Sequence, residues 1–215
     1  MNDYSDRGTI MTSSKPSLAL YATIALLILS CSKDPASPFA SNSIIMPLAI
    51  GNQWVYHVTQ YQHYTKTQID RIDTSVVYRS TLEGTDSTYW ISNLELAIWW
   101  SPSFLNRADG LYIIDHSGPK TVGGSGPPLV EHFVKYPTFP GDSIRFRYMT
   151  IRTSSVGAKV ASDAGEYACV GYDAWQNDTV HLGTFWVAPN IGIVRSWQLM
   201  GADTMYVNLV SSRIH

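Results

Sequence analysis

Trp54, Tyr56 and Val58 alternate with Gln53, His57 and Thr59. A period of two with aromatic residues on one side marks a half-buried β-strand. From residue 43 onward no helical period appears, and runs of β-branched and aromatic residues are broken by Gly, Pro, Asn and Asp. Ile44–Ile50 closes at Gly51-Asn52; Ile69–Thr81 and Thr88–Trp100 flank the turn Glu83-Gly84-Thr85-Asp86; Leu111–Asp115 follows Asp109-Gly110. Leu129–Tyr136 reads as a strand or one helical turn. Ser143–Arg152, Lys159–Ala164, Glu166–Ala174, Thr179–Val187, Ile193–Met200 and Met205–Ser211 complete the series. About ten strands with short connections predict one all-β domain, an antiparallel sheet, sandwich or open barrel. One longer Gly- and Pro-rich loop, Ser117–Pro128, interrupts the middle.

Charged residues make up only 15 % of the chain and aromatic residues 12 %, the opposite of a disordered composition. Net charge is −2, and residues 1–30 do not alter it, because Asp3 and Asp6 balance Arg7 and Lys15. Without a basic stripe there is no electrostatic basis for binding nucleic acid.

Residues 18–29 form an uncharged apolar run preceded by Lys15. A membrane-spanning helix needs about 20 such residues, so the run has the length of a signal-peptide core. It ends in Ile28-Leu29-Ser30-Cys31, which resembles the lipobox of bacterial lipoproteins, although Leu29 replaces the commoner small residue. The resemblance implies a signal peptide over 1–30 and lipidation of Cys31, with palmitate among the acyl chains. An ordinary cleaved signal or a single membrane anchor with an incidental cysteine is the alternative. Met11 offers a neater start than Met1, because the stretch before Lys15 is long and carries two aspartates. Residues 31–42, rich in Pro, Ser and Ala, read as a flexible tether, and 43–215 as the folded domain. Ser32 after the cysteine resembles outer-membrane sorting, and Ser32-Lys33-Asp34 resembles the surface-export signals of Bacteroidetes lipoproteins. The expected location is the bacterial cell envelope, on the periplasmic or surface face of the outer membrane.

Several segments follow one another in order: Pro47-Leu48…Gly51-Asn52-Gln53-Trp54-Val55-Tyr56, Asp109-Gly110-Leu111-Tyr112, Tyr136-Pro137…Gly141-Asp142-Ser143, Ala164-Gly165-Glu166-Tyr167…Cys169 and Phe185-Trp186-Val187-Ala188-Pro189-Asn190-Ile191-Gly192-Ile193-Val194-Arg195. Together they resemble a group of uncharacterised bacterial envelope lipoproteins, similar in turn to the half-barrels of periplasmic lipoprotein carriers. The resemblance implies a strongly curved antiparallel sheet or half-barrel, and no catalytic residues. Here Glu166-Tyr167 stands in place of Thr-Phe, and Asn190 in place of a glycine.

Catalytic constellations are hard to find. Gly118–Ser125 nearly spells a phosphate loop, but Gly124 occupies the lysine position, Pro119 removes a backbone donor and no helix follows. Gly124-Ser125-Gly126 lacks the strand and helix of a hydrolase elbow. His57, His63, His116, His132, His181 and His215 show no metal-ligand spacing, so neither metal nor cofactor is expected. Asp70, Asp73, Glu95, Glu131 and Glu166 do not single out a glycosidase pair. Cys169, between Tyr167, Ala168, Val170 and Tyr172, reads as a small buried hydrophobe. Asn177-Asp178-Thr179 reads as a turn.

Seven tryptophans are the unusual feature. A β core of large side chains accounts for most of them. Trp99 and Trp100 are adjacent and would point to opposite faces of a strand, while Trp175 falls in an expected Asp173–Asp178 turn region. These three are the candidate ligand-binding residues. Three functions remain open: a non-enzymatic lipoprotein holding an apolar or lipid-like ligand, a surface or glycan-binding module using exposed tryptophans, and an envelope hydrolase.

Overall fold

The computed structural model describes residues 44–83, 85–92, 103–116 and 128–215. The signal segment, Cys31, the tether, Trp99, Trp100 and all but the last residue of the 117–128 loop lie outside the described residues.

The described chain forms twelve strands and no helix. They are β1 (Gln53–Gln62), β2 (Thr67–Glu83), β3 (Asp86–Ser92), β4 (Ser103–Arg107), β5 (Gly110–Asp115), β6 (Leu129–Lys135), β7 (Ser143–Phe146), β8 (Met149–Ser162), β9 (Gly165–Gln176), β10 (Val180–Ala188), β11 (Gly192–Met200) and β12 (Asp203–Arg213). All belong to one antiparallel sheet ordered β6-β5-β4-β3-β2-β1-β12-β11-β10-β9-β8-β7. The chain steps outward from β1 to one edge, crosses to the other edge, and steps back until β12 pairs with β1. The sheet curls until its two edges meet, where the Phe133 and Phe146 rings lie 5.4 Å apart, edge to face.

The alternation in β1 does what period two requires. Trp54, Tyr56 and Val58 are fully buried on the inner face, while Val55, His57 and Thr59 lie on the other. Inner side chains from both halves of the sheet, among them Phe104, Ile113, Phe133, Phe146, Tyr172 and Phe185, make one apolar cluster. Odd-numbered strands end at one rim of the curled sheet. The opposite end has a floor.

That floor corrects the reading of Ile44–Ile50 as a strand. Ile45, Met46 and Leu48 are buried, but the segment pairs with no strand and instead covers the lower end of the core. Its polar groups are met individually. The buried Asn52 side chain donates to Pro47 O (2.8 Å) and accepts from the His215 amide (2.9 Å). Asn106 Nδ2 donates to Met46 O (2.7 Å). Asn190 holds φ 63°, a left-handed conformation that asparagine tolerates better than most residues. Its N–H donates to Ile44 O (2.8 Å), and its side-chain oxygen accepts from the Ile44 N–H (3.2 Å).

Further boundaries differ, and Lys159–Ala164 is not a strand of its own but the end of β8. Ser143–Arg152 is two strands, folded at Arg147-Tyr148 with Arg147 at φ 55°. The short strand β4 carries no strong sequence signal. Trp175 belongs to β9 itself, and the turn begins at Asn177 and Asp178, both at positive φ (48° and 60°), the two-residue geometry matched to strand twist. Leu129–Tyr136 resolves in favour of a strand. Gly110, at φ 149°, has no room for a side chain, since a Cβ would lie 2.0 Å from Val134 O.

Candidate functional site

Where the sheet edges meet, β6 and β7 share no backbone ladder. Side chains close this seam. Inside, Phe133 also lies parallel to Phe185, with ring centres 5.7 Å apart. At the rim, Arg147 in the β7–β8 turn spans the gap, with Nε 2.8 Å from Glu131 of β6 and a terminal nitrogen 2.6 Å from Asp115 of β5. Towards the floor the Tyr172 hydroxyl donates to Lys135 O (2.8 Å), and Lys135 Nζ lies 3.0 Å from Asp142. The Phe139 N–H, then Lys135, hold the Asp142 carboxyl below its ordinary range. A left-handed arginine is uncommon, and the two carboxylates that clasp Arg147 give that conformation a role in closing the seam.

The outer face carries a second arrangement. Trp175 of β9 stacks on His181 of β10 (4.5 Å), and His181 meets Trp197 of β11 edge to face (5.1 Å). Trp197 pairs with Tyr206 of β12, and Tyr206 with Thr59 of β1. An aromatic row therefore crosses four adjacent strands. Polar groups flank it. Asp173 Oδ1 accepts from the Thr184 hydroxyl (2.6 Å) and lies 3.7 Å from His181 Nε2, while Arg152 covers the Trp175 ring (5.7 Å) and pairs with Asp178. Elsewhere on the sheet His116 stacks on Trp90 and His132 on Tyr112, at 4.6 and 4.3 Å.

Of the expected binding residues, Trp175 is half-buried in this row, whereas Trp99 and Trp100 lie outside the described residues. His181, Trp197 and Tyr206 were not singled out by sequence, because only the strand register brings them together. Cys169 is fully buried, and burial pushes its thiol up to about 12, in agreement with its reading as a core residue. Among the described residues no three His, Cys, Asp or Glu side chains gather as a metal site.

No protein-family model matches the chain, and no curated protein does. Solved structures do resemble it. A Bacteroides fragilis protein described as exported, with a YmcC-like fold, is 15 % identical with a TM-score of 0.42, covering 80 % of this chain and 99 % of its own. A protein from Parabacteroides distasonis described as a lipoprotein is 14 % identical, with the same coverages and TM-score. A LolA superfamily protein from Nitrosomonas europaea is 6 % identical, covers 83 % of this chain and 92 % of its own, and has a TM-score of 0.30.

Proposed function

We propose that this chain is a lipid-anchored lipoprotein of the bacterial cell envelope, acting without catalysis, whose β domain receives an apolar or lipid-like ligand through the β6–β7 seam. One observation carries the reading: the two edges of a curled sheet face each other over an apolar interior yet are joined by side chains alone. Parting a ladder exposes several backbone groups at once, each costly to leave unmade. Parting this seam separates the Phe133 ring from Phe146 and Phe185, each contact worth about 0.5–1.5 kcal/mol, the Tyr172–Lys135 hydrogen bond, and a clasp of ion pairs at a partly exposed rim. The seam can thus open while the rest of the sheet stays paired.

The anchor is Cys31, whose acyl chains would each contribute about 0.8 kcal/mol per buried methylene. The membrane is then the partner, and the outer membrane the expected site. Trp99 and Trp100 fall between β3 and β4 in the chain and are proposed to face an apolar ligand.

Native mass spectrometry with lipid extraction on residues 38–215, the compact unit that contains every described residue, tests the reading when the protein is purified from a bacterial periplasm. A co-purifying fatty acid or phospholipid is expected. A clean apo mass, together with no uptake of added palmitate, would overturn it.

A further inference from the structure

The β8–β9 hairpin is longer than its neighbours require. β10 pairs with β9 only as far as Val170, so the stretch from Gly165 to Cys169 pairs with β8 alone. This overhang reaches back towards the middle of the sheet, where the Ala164 N–H donates to Leu209 O of β12 (3.0 Å). Its tip, Ala161–Asp163, walls a groove of about 300 Å³ against His57, Thr59, Arg195, Tyr206 and Asn208.

The register explains the lining. Arg195 pairs with Asn208, and Asn208 with His57, so three polar side chains stand side by side on one face. Two residues further along each strand, Trp197, Tyr206 and Thr59 form the next line on that face. Tyr206 is 51 % exposed. Arg195 and Asp163 make no ion pair among the described residues, and His57 lies 3.6 Å from Asp70.

The mixture of charges selects the ligand class. An anion would meet Asp163 and Asp70, a cation would meet Arg195, and an acyl chain would leave these polar groups desolvated without partners. Solvated surface side chains are the ordinary fate of such residues. Here they converge on one concavity beside an exposed aromatic ring, at the lower end of the size range for small-molecule sites. Planar polar groups such as guanidinium, carboxylate and amide can engage paired hydroxyls, and a tyrosine face packs against the apolar side of a sugar ring. We propose that this groove binds one ring of a neutral saccharide, stacked on Tyr206 and hydrogen-bonded by Arg195, Asp163 and Asn208. A longer glycan would continue along the row through Trp197 and His181 to Trp175. The site is separate from the seam and does not depend on the lipid reading.

The test uses the full chain, solubilised in detergent, on an array of neutral and acidic glycans, followed by titration of the best binder at millimolar concentration. Binding to neutral glycans is expected. It should weaken by about tenfold or more in Tyr206→Ala and in Arg195→Ala, and persist in Tyr206→Phe, which keeps the ring. Thermal melts identify any variant that fails to fold, and Asn208→Ser then substitutes for it. Binding confined to acidic glycans or to inorganic phosphate would overturn the proposal, as would glycan binding indifferent to these substitutions or no glycan binding at all.

Discussion

The indole N–H of Trp54 donates to the carbonyl oxygen of Ile191, 137 residues further along the chain. Two positions on, the Tyr56 hydroxyl donates to Ile193 O (3.2 Å). The Gly-Asn-x-Trp-x-Tyr and Ala-Pro-Asn-Ile-Gly segments are therefore one structural unit, the junction of β1 with the β10–β11 turn. Trp54→Phe should cost about 1–3 kcal/mol, because a partly buried carbonyl loses its donor. Trp54→Ala should cost about 3–5 kcal/mol through the cavity it leaves. Urea unfolding of the two variants measures both, and a Trp54→Phe protein as stable as the parent would show that the hydrogen bond contributes nothing.

Arg147→Met removes the clasp across the seam and leaves Asp115 and Glu131 without their shared cation. A loss of about 1 kcal/mol is expected for a pair this exposed. The stronger effect should be local, with amides of β6 and β7 exchanging hydrogen faster while β1 and β12 do not change. Uniform exchange across all strands would show that Arg147 does not control the seam.

Cysteines at Glu131 and Arg147, joined by a bifunctional maleimide, should hold the edges together and stop palmitate uptake without unfolding the sheet. Unchanged uptake in the bridged protein would place ligand entry elsewhere.

Asp142 links stability to acid. Its carboxyl is held below the ordinary 3.8 in the folded state, first by the Phe139 N–H and then by Lys135. A depressed folded value contributes stability above the unfolded value, and that contribution is lost as pH falls through the folded one. Asp142→Asn should therefore lower the denaturation midpoint at neutral pH and match the parent in strong acid. A difference that persists unchanged into strong acid would exclude the carboxylate as its cause.

Cys31→Ala should abolish incorporation of labelled palmitate and move the protein out of the detergent-soluble membrane fraction. Cys169 should stay unreactive to thiol reagents at neutral pH until the protein is unfolded, since its thiol is buried and its titration raised to about 12. Label appearing on Cys169 in the native protein would contradict its place in the core.

Sequence pattern located most strands because period two survives wherever one face is buried, as in β1. It failed where burial and pairing part company. Ile45, Met46 and Leu48 are as apolar as a strand but serve as a floor. The fold at Arg147-Tyr148 was invisible because neither residue is a usual turn former; the left-handed arginine is held by partners from β5 and β6. The outer-face groove could not be read at all. His57 and Asn208 become neighbours only because β12 inserts beside β1, and nothing in local periodicity announces that pairing.

That insertion has a consequence for how the chain folds. Every ladder but one joins strands that are consecutive in sequence; β1 with β12 is the exception. Each half, β1–β6 and β7–β12, can zip up from local hairpins, whereas the central ladder must close a loop of nearly the whole domain, and late, slow non-local steps follow from such topology. His215 lies beside this ladder, its amide donating to Asn52 just ahead of β1 (2.9 Å). Joining His215 to Ile44 through a flexible linker and cutting the chain between β6 and β7 would turn the order into an unbroken meander. Such a permutant should keep the fold and refold faster, with its new ends at the seam.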